Sequence, residues 1–223
     1  MRGAVNRYAD GLQLVDDSRR IAGMEVQFLP TTRRLHTHPR SPATKPPYGL
    51  AFIGRWHPNK GVDVLLDALA VLTDEDWQLI REVSIHGGGP LSGVVQAKGS
   101  ALLASGRPLV LGGYLTKPAA EEVISRADYI VIPSRVESIP VVFSDAMKLA
   151  RPVISTPVGD LARLLNESEA GILADQAEPM ALARAIRQAL HRSPVEFIAA
   201  TRAHAGQFDL TEIARRLLSE LNG

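Results

Sequence analysis

The sequence predicts an α/β protein with a doubly wound parallel sheet, a Rossmann-like arrangement flanked by helices. Strand-like and helix-like segments alternate along residues 49–221. The strand-like segments are short, continuous apolar runs, which indicate strands that are buried on both faces. Nearly every one ends at Gly or Pro, where a ligand can approach the backbone closely. Because ligands of such sheets bind at the carboxyl ends of the strands, these ends form the candidate site.

The first half of the predicted domain holds three strands and three helices. The apolar run 49–53 before Gly54 is the first strand, and the helical spacing of Val and Leu predicts a helix over 62–72. Residues 83–85 form the second strand, which leads into three consecutive glycines. The remaining elements are a weak helix over 91–104, a strand over 109–111 and a helix over 117–126.

The second half holds the most informative stretch, residues 128–159. An apolar strand over 129–132 runs into a Pro-Ser turn that ends at Glu137, and a helix opened by Pro140 carries Asp145 on its second turn. One carboxylate therefore follows the end of a buried strand, and a second lies inside the next helix. The other predicted elements are strands over 152–155 and 171–173, a short helix after Gly159, and helices over 179–190, 194–204 and 210–221.

Composition excludes several classes of protein. The 223 residues carry a net charge of +1 with interspersed charges, so no basic block indicates nucleic acid as a partner. There is no cysteine, which excludes disulfides and zinc-thiolate sites. No apolar run approaches the roughly 20 residues of a membrane span, and residues 1–11 lack the apolar core of a signal peptide. A cytoplasmic protein is therefore expected.

The first 48 residues do not share the strand–helix alternation. Residues 6–21 are compatible with a helix and residues 25–29 with a strand ending at Pro30. The polar, proline-rich stretch 31–47 is typical of a linker. Within it, His36 and His38 lack further metal ligands nearby, so we interpret them as solvated residues and predict no metal site. A helix, a strand and a linker do not make a domain.

Two cations accompany the turn after the first strand. Arg55 and Lys60 stand in the segment GRWHPNKG, which leads from a strand into a helix. A helix N-terminus has free N–H groups and a partial positive charge, and an added guanidinium and ammonium would suit a diphosphate. The alternative is two solvated cations in a surface loop.

Other signals are ambiguous when each is taken alone. The glycines at 87–89 are compatible with an ordinary turn, Glu137 with a charge that complements a helix dipole, and Asp145 with a solvated helix residue. His57 and His86 stand at strand ends, where ligand binding and packing are both possible. The chain has neither GxGxxG nor GxxxxGK[ST], so the nicotinamide and P-loop interpretations lack their main support.

The motifs in combination resemble a known family. In order they are GRWHPNKG, IHGGGP, LGGYL, ADYIVIPSRVES, DAMKLARPVIST and AGIL. Over residues 49–190 this order resembles the C-terminal, nucleotide-sugar-binding lobe of family 4 retaining glycosyltransferases, which have the GT-B fold. The resemblance implies transfer of a sugar from a UDP- or GDP-sugar to an acceptor hydroxyl, without a metal or other cofactor.

The resemblance also implies roles for particular residues. Arg55 and Lys60 would neutralise the donor diphosphate, Glu137 would face the donor sugar, and Asp145 would hold the ribose hydroxyls. We therefore expect Glu137, Arg55 and Lys60 to be catalytic. The expected donor-binding residues lie in the glycine turns, the loop near the nucleobase and the backbone after Glu137: Gly54, Gly87, Gly89, Tyr114, Leu115, Ser138, Ile139, Pro140, Val141 and Asp145.

Two departures from the family pattern affect these roles. The second acid is Asp145 where the family has Glu, one methylene longer. Ser138-Ile139-Pro140 replaces the usual Gly-Phe-Gly, and Pro140 removes one potential N–H donor to phosphate. Both departures remain compatible with donor binding.

The resemblance implies an N-terminal acceptor lobe that residues 1–48 do not supply. We therefore expect 1–48 to be a remnant of that lobe plus a linker, 49–205 to be the donor-binding domain, and 206–223 to be a helix that packs toward the other lobe. The chain would be a donor-binding half, inactive alone. It would be either a fragment or truncated form of a longer enzyme, or one subunit of a split transferase whose partner is a separate acceptor-lobe protein or a second copy. The alternative is a non-catalytic nucleotide-sugar-binding subunit of a split transferase. A phosphorylase lobe is less compatible, because no lysine has a convincing context for a pyridoxal cofactor.

Overall fold

A computed structural model describes residues 20–21, 24–25 and 32–221 of the chain. Two short strands, Arg20–Ile21 (β1) and Met24–Glu25 (β2), pair antiparallel. The end of the helix predicted over 6–21 is thus a strand instead, and the rest of that helix lies outside the described residues. Most of the strand predicted over 25–29 also lies outside them.

The main sheet has six parallel strands in the order β5-β4-β3-β6-β7-β8. This order places the first strand of the sheet in the middle beside the fourth, as in a doubly wound fold. The predicted fold class is therefore confirmed. The six strands are Tyr48–Arg55 (β3), Ile80–Gly88 (β4), Leu109–Gly112 (β5), Tyr129–Ile132 (β6), Val153–Ser155 (β7) and Gly171–Leu173 (β8).

The helices form a layer on each side of this sheet. Their bounds are Val62–Ala70 (α1), Asp74–Gln78 (α2), Ser92–Ala104 (α3), Lys117–Arg126 (α4), Val141–Lys148 (α5), Asp160–Ser168 (α6), Pro179–Leu190 (α7), Ile198–Ala205 (α8) and Leu210–Leu221 (α9). One apolar cluster joins α1, α3 and α7 to the sheet, and a second joins α4, α5 and α6 to its other face. Two cores on opposite faces explain why the strands are apolar throughout.

Two helical segments differ from the sequence prediction. The short helix α2 was not predicted, because five residues are too few to show a helical period. It is held by a capping box between Thr73 and Asp76, and it buries Trp77. The helix predicted over 194–204 is divided into a 3-10 turn, Pro194–Phe197, and α8.

Residues 32–47, which the sequence predicts to be a linker, form an ordered strap across the α4–α5 side of the domain. The Glu121 carboxylate accepts hydrogen bonds from the backbone N–H groups of His36 and Thr37, at 2.9 and 3.0 Å. The Asp128 carboxylate accepts from the N–H of Ala43 at 2.7 Å. The fully buried Arg151 guanidinium donates to the Ser125 carbonyl at 2.7 Å and to a strap carbonyl, and burial lowers its pKa to about 10. Buried charged side chains of the domain therefore fix the path of the strap.

Candidate donor-binding site

The candidate site lies where the strand order of the sheet reverses. Strands β3 and β6 are neighbours in parallel register, with Leu50 opposite Tyr129, so their carboxyl ends lie side by side. A cavity of about 460 Å³ opens at these ends, between the first turns of α4 and α5. It is lined by Arg33, Phe52, Ile53, Gly54, Lys60, Lys117, Ala120, Ile124, Val131, Ile132, Ser134, Glu137, Pro140, Val141, Val142 and Asp145. Doubly wound folds bind ligands at this position.

The loops after β3 and β6 are fixed to each other. The Arg135 guanidinium donates to both Asp63 carboxylate oxygens, at 2.8 and 2.7 Å, and its backbone N–H donates to the Asn59 carbonyl at 2.8 Å. Gly61 has φ +66°, and a Cβ there would lie 1.8 Å from the Pro133 carbonyl oxygen. Only glycine permits this approach, so the two loops have one fixed spacing.

Lys60 and Glu137 meet across these loops. The Lys60 ammonium donates to the Glu137 carboxylate, and the side chains are 34 % and 12 % exposed. Gly159 supports Glu137 from behind, because its φ of +53° and its close approach to the Glu137 carbonyl oxygen exclude a side chain. Arg55, at the end of β3, is exposed and is not among the residues that line the cavity. The structure thus brings together two of the three predicted catalytic residues and leaves Arg55 outside the cavity lining.

Asp145 lies at the floor of the cavity and is 2 % exposed. Its Oδ2 accepts hydrogen bonds from Nε and Nη2 of Arg33, at 2.8 and 2.7 Å, while its Oδ1 is buried and has no partner among the described residues. Burial raises the pKa of the Asp145 carboxyl above its ordinary value, although Arg33 and Lys148 act in the opposite direction. A buried oxygen without a hydrogen-bond partner is uncommon in proteins, so it indicates a group that the described residues do not supply.

The glycine turn at 87–89, whose Gly87 and Gly88 are the last residues of β4, packs against β3 outside the cavity lining. A Cβ on Gly87 would lie 1.9 Å from the Gly54 carbonyl oxygen, and one on Gly89 would lie 2.8 Å from the Trp56 carbonyl oxygen. Tyr114 lies over this turn and donates from its hydroxyl to the Gly88 carbonyl at 2.6 Å. Its side chain is otherwise exposed, and Leu115 beside it is half-buried. These glycines allow close packing of the turn, and the Tyr114 ring forms an open face near the site.

The segment before α5, which was expected to bind the donor through its backbone, does not present a continuous row of free N–H groups. The Ile139 N–H donates to the Ser138 hydroxyl at 2.6 Å, and the Ile139 side chain is buried in the core. Pro140 is the N-cap residue of α5, so the helix begins at Val141, one residue later than predicted. The N–H groups of Val141 and Val142, in the first turn, have no partner within the helix. They and the helix dipole are the part of this segment suited to an anion.

Two charged residues that sequence reasoning missed line the cavity, Arg33 and Lys117. Arg33 reaches Asp145 from a position 112 residues away in the chain, and no local pattern indicates that contact. Lys117 is exposed at the first position of α4. Its place shortly after the Gly112-Gly113 turn, at the start of a predicted helix, is a sequence signal that could have indicated it. The apolar walls come from strands β3 and β6, from α4 and from the start of α5, and of these only the apolar character of the strands was predicted.

Histidines and acids do not form a metal centre in the described part of the chain. No group of three or more His, Asp or Glu is placed there to hold a metal ion. His57 accepts a hydrogen bond from the Asn59 N–H at 3.2 Å, so it caps the 3-10 turn at Pro58–Lys60. His86 packs against Gly112, and burial lowers its pKa. Within residues 32–221, no helix has the length and apolar character needed to cross a membrane.

Fold and site together define a Rossmann-like domain whose cleft joins cations, carboxylates and helix N-termini. The chain belongs to the family of glycosyl transferases group 1, whose model matches residues 47–192. Its relatives include D-inositol 3-phosphate glycosyltransferases. The protein from Corynebacterium urealyticum is 31 % identical over 175 residues, which cover 76 % of this chain and 41 % of that protein. The one from Streptomyces griseus is 34 % identical over 165 residues, covering 70 % and 35 %.

Solved structures with the same fold are glycosyltransferases of the GT-B architecture. HepE from Anabaena, crystallised with UDP, superposes with a TM-score of 0.64 at 20 % identity, over 78 % of this chain and 48 % of that chain. A mutant of TarM from S. aureus, crystallised with UDP and other ligands, superposes with a TM-score of 0.71 at 18 % identity, over 91 % and 41 %. The resemblance predicted from the motifs is therefore confirmed, and the chain spans less than half the length of these proteins.

Proposed function

We propose that this chain binds a nucleotide diphosphate sugar and serves as the donor-binding part of a retaining glycosyltransferase. The observation that carries the proposal is that Lys60, Glu137 and Asp145 line one cavity at the carboxyl ends of β3 and β6. Family membership supports transfer of a sugar. HepE crystallised with UDP and with UDP-glucose, and this supports a nucleotide sugar as the ligand, here a UDP- or GDP-sugar.

In the proposed complex, the diphosphate lies between Lys60 and the first turn of α5. The Lys60 ammonium and the N–H groups of Val141 and Val142 stabilise charge on the leaving diphosphate, with Arg55 reaching in from the rim. These groups supply positive charge without a metal ion or other cofactor. Glu137 faces the donor sugar, and Lys60 orients its carboxylate through their ion pair.

The nucleoside occupies the part of the cavity between α4 and α5. Asp145 accepts hydrogen bonds from the ribose through its Oδ1, which has no partner among the described residues. The base lies against Leu115 and Tyr114, whose exposed ring suits a planar group. Gly54 lines the cavity, while Gly87 and Gly89 let the neighbouring turn pack against β3 and so support that wall of the site. The segment Ser138, Ile139 and Pro140 sets the start of α5.

We also propose a division of the chain into three parts. Residues 49–205 form the donor-binding domain, 1–48 contribute the strap, and 206–223 carry α9, which we propose packs toward an acceptor lobe. We propose that such a lobe contacts α9, whether it belongs to a separate protein, a second copy or a longer form of this chain. We further propose that the protein acts in the cytoplasm and uses nucleotide sugars there as substrates.

Sugar transfer tests this proposal. We expect purified chain supplied with labelled UDP- or GDP-sugars and a panel of acceptors to bind the donor but to yield no transfer product. The physical reason is that transfer requires an acceptor hydroxyl held against the anomeric carbon, and orientation lowers the barrier strongly. With a complementing lobe added, product of retained anomeric configuration, measured by NMR, would support the split enzyme.

Three other outcomes of the transfer assay would require changes to the proposal. Robust transfer by the chain alone would contradict its dependence on another lobe. Donor binding without transfer even after a lobe is added would favour the non-catalytic binding subunit. An inverted product would contradict the retaining outcome.

A further inference from the structure

Arg33 joins the strap to the floor of the cavity through two buried carboxylates. Both its Nε and its Nη2 donate to Asp145 Oδ2, and its Nη1 lies 3.4 Å from Glu121 Oε1. Asp145 and Glu121 are 2 % and 1 % exposed, whereas the Arg33 side chain is 21 % exposed and lines the cavity. One guanidinium therefore compensates two buried acids.

The backbone at Arg33 is fixed by contacts that do not involve its guanidinium. The Lys148 ammonium, on α5, donates to the Arg33 carbonyl and to the Thr32 hydroxyl. That hydroxyl donates in turn to the Phe208 carbonyl at 2.7 Å. Loss of the guanidinium therefore need not release the strap, and this makes its chemical role separable from a structural one.

The two acids differ in what else satisfies them. Burial favours protonation of Glu121, but the His36 and Thr37 N–H groups and Arg33 outweigh it and hold the pKa of Glu121 below its ordinary value. Asp145 accepts hydrogen bonds only from Arg33 among the described residues, and burial raises its pKa. The charged groups that act on it are Arg33 from the strap, Lys148 from its own helix and Glu121 from α4. Asp145 is thus the carboxylate whose charge depends on Arg33.

We infer that Arg33 is a positioning residue of the donor site, which keeps Asp145 ionised and binds its Oδ2, so that Oδ1 is left to accept from the ligand. A protonated Asp145 would present a donor where two ribose hydroxyls need an acceptor. The identity of that ligand rests on the proposed function, whereas the coupling of Arg33 to Asp145 does not.

The first experiment needs no ligand. In a carboxyl NMR titration of the full chain, with the Asp145 signal assigned by Asp145→Asn, we expect Arg33→Met to move the Asp145 transition to higher pH. Arg33→Lys, which keeps the charge, should restore most of the wild-type transition. Arg40→Met removes a strap arginine whose ion pair with Glu122 is exposed, and it should change nothing. If Arg33→Met does not fold, Arg33→Gln takes its place. An unchanged Asp145 transition in the folded variant would overturn the inference.

The second experiment measures the affinity for UDP-glucose at pH 5.5 and pH 8. This ligand lacks the terminal phosphate ionisation that UDP has near this range. We expect acidification to weaken binding to Arg33→Met severalfold more than binding to the wild type, because a larger fraction of its Asp145 is protonated at pH 5.5. If Arg33→Met weakens UDP-glucose binding by the same factor at pH 5.5 and at pH 8, the role of Arg33 is merely structural and the inference is overturned. If the wild type binds neither UDP-glucose nor GDP-glucose at either pH, the proposed function is contradicted. The NMR titration still decides whether Arg33 is coupled to Asp145.

Discussion

Lys60→Met is expected to weaken binding of UDP or GDP by about 10- to 150-fold and to leave binding of the nucleoside unchanged. A hydrogen bond to a charged group contributes about 1.5–3 kcal/mol, which corresponds to this range. The substitution also leaves the Glu137 carboxylate, 12 % exposed, without its ammonium partner beside the phosphates. Repulsion between like charges then adds to the loss. Calorimetric titration of each ligand measures the effect.

Two variants serve as controls for Lys60. Lys98→Met removes an ammonium that pairs with Asp67 away from the cavity, and it should leave nucleotide affinity unchanged. Glu137→Gln should spare UDP and weaken only the intact nucleotide sugar, because Glu137 is assigned to the sugar. If Lys60→Met weakens nucleoside and diphosphate alike, Lys60 does not contact the phosphates.

Asp145→Asn is expected to remove most of the discrimination between ribonucleotides and 2′-deoxyribonucleotides. With an ionised acceptor, the wild type should prefer UDP over 2′-deoxy-UDP by about 10- to 150-fold, the scale of a hydrogen bond to a charged group. The amide is neutral and offers one acceptor oxygen and a donor group, so the preference should fall to about fivefold. The same comparison with GDP and its 2′-deoxy form covers the other base.

A matched carboxylate separates this effect from a general change in charge. Asp67→Asn removes an exposed carboxylate on α1 that pairs with Lys98, and it should leave the ribose preference intact. If the wild type binds UDP and 2′-deoxy-UDP with equal affinity, Asp145 does not contact the ribose 2′-hydroxyl, and the affinities of the variant cannot change that conclusion.

The fold was predictable from sequence because each strand and most helices can be recognised from the residues of that segment alone. Each strand of the parallel sheet is buried on both faces, so it is a continuous apolar run, and β6, β8, α4, α7 and α9 begin and end at the predicted residues. The short helix α2 was missed because one capping box and five residues carry too little periodicity. The division of the segment 194–204 depends on the Ser193 cap and on a 3-10 turn, which apolar spacing does not reveal.

The site was predictable only in part. Lys60, Glu137 and Asp145 follow from motifs at strand and helix ends, and the cavity brings them together. Arg33 was missed because a polar, proline-rich segment is typical of a solvated linker. Its order depends on buried partners far away in the chain, namely Glu121, Asp128 and Arg151. These contacts join residues that are far apart in the chain, so they can be identified only from the three-dimensional structure.

The most direct test of the central claim is calorimetry of the wild-type chain with uridine, guanosine, UDP, GDP and their sugar derivatives. At least one diphosphate or nucleotide sugar is expected to bind, and its nucleoside is expected to bind hardly at all, because Lys60 and the first turn of α5 act on the phosphates. Equal binding of nucleoside and diphosphate, or binding of none of these ligands, would contradict a donor site in this cavity.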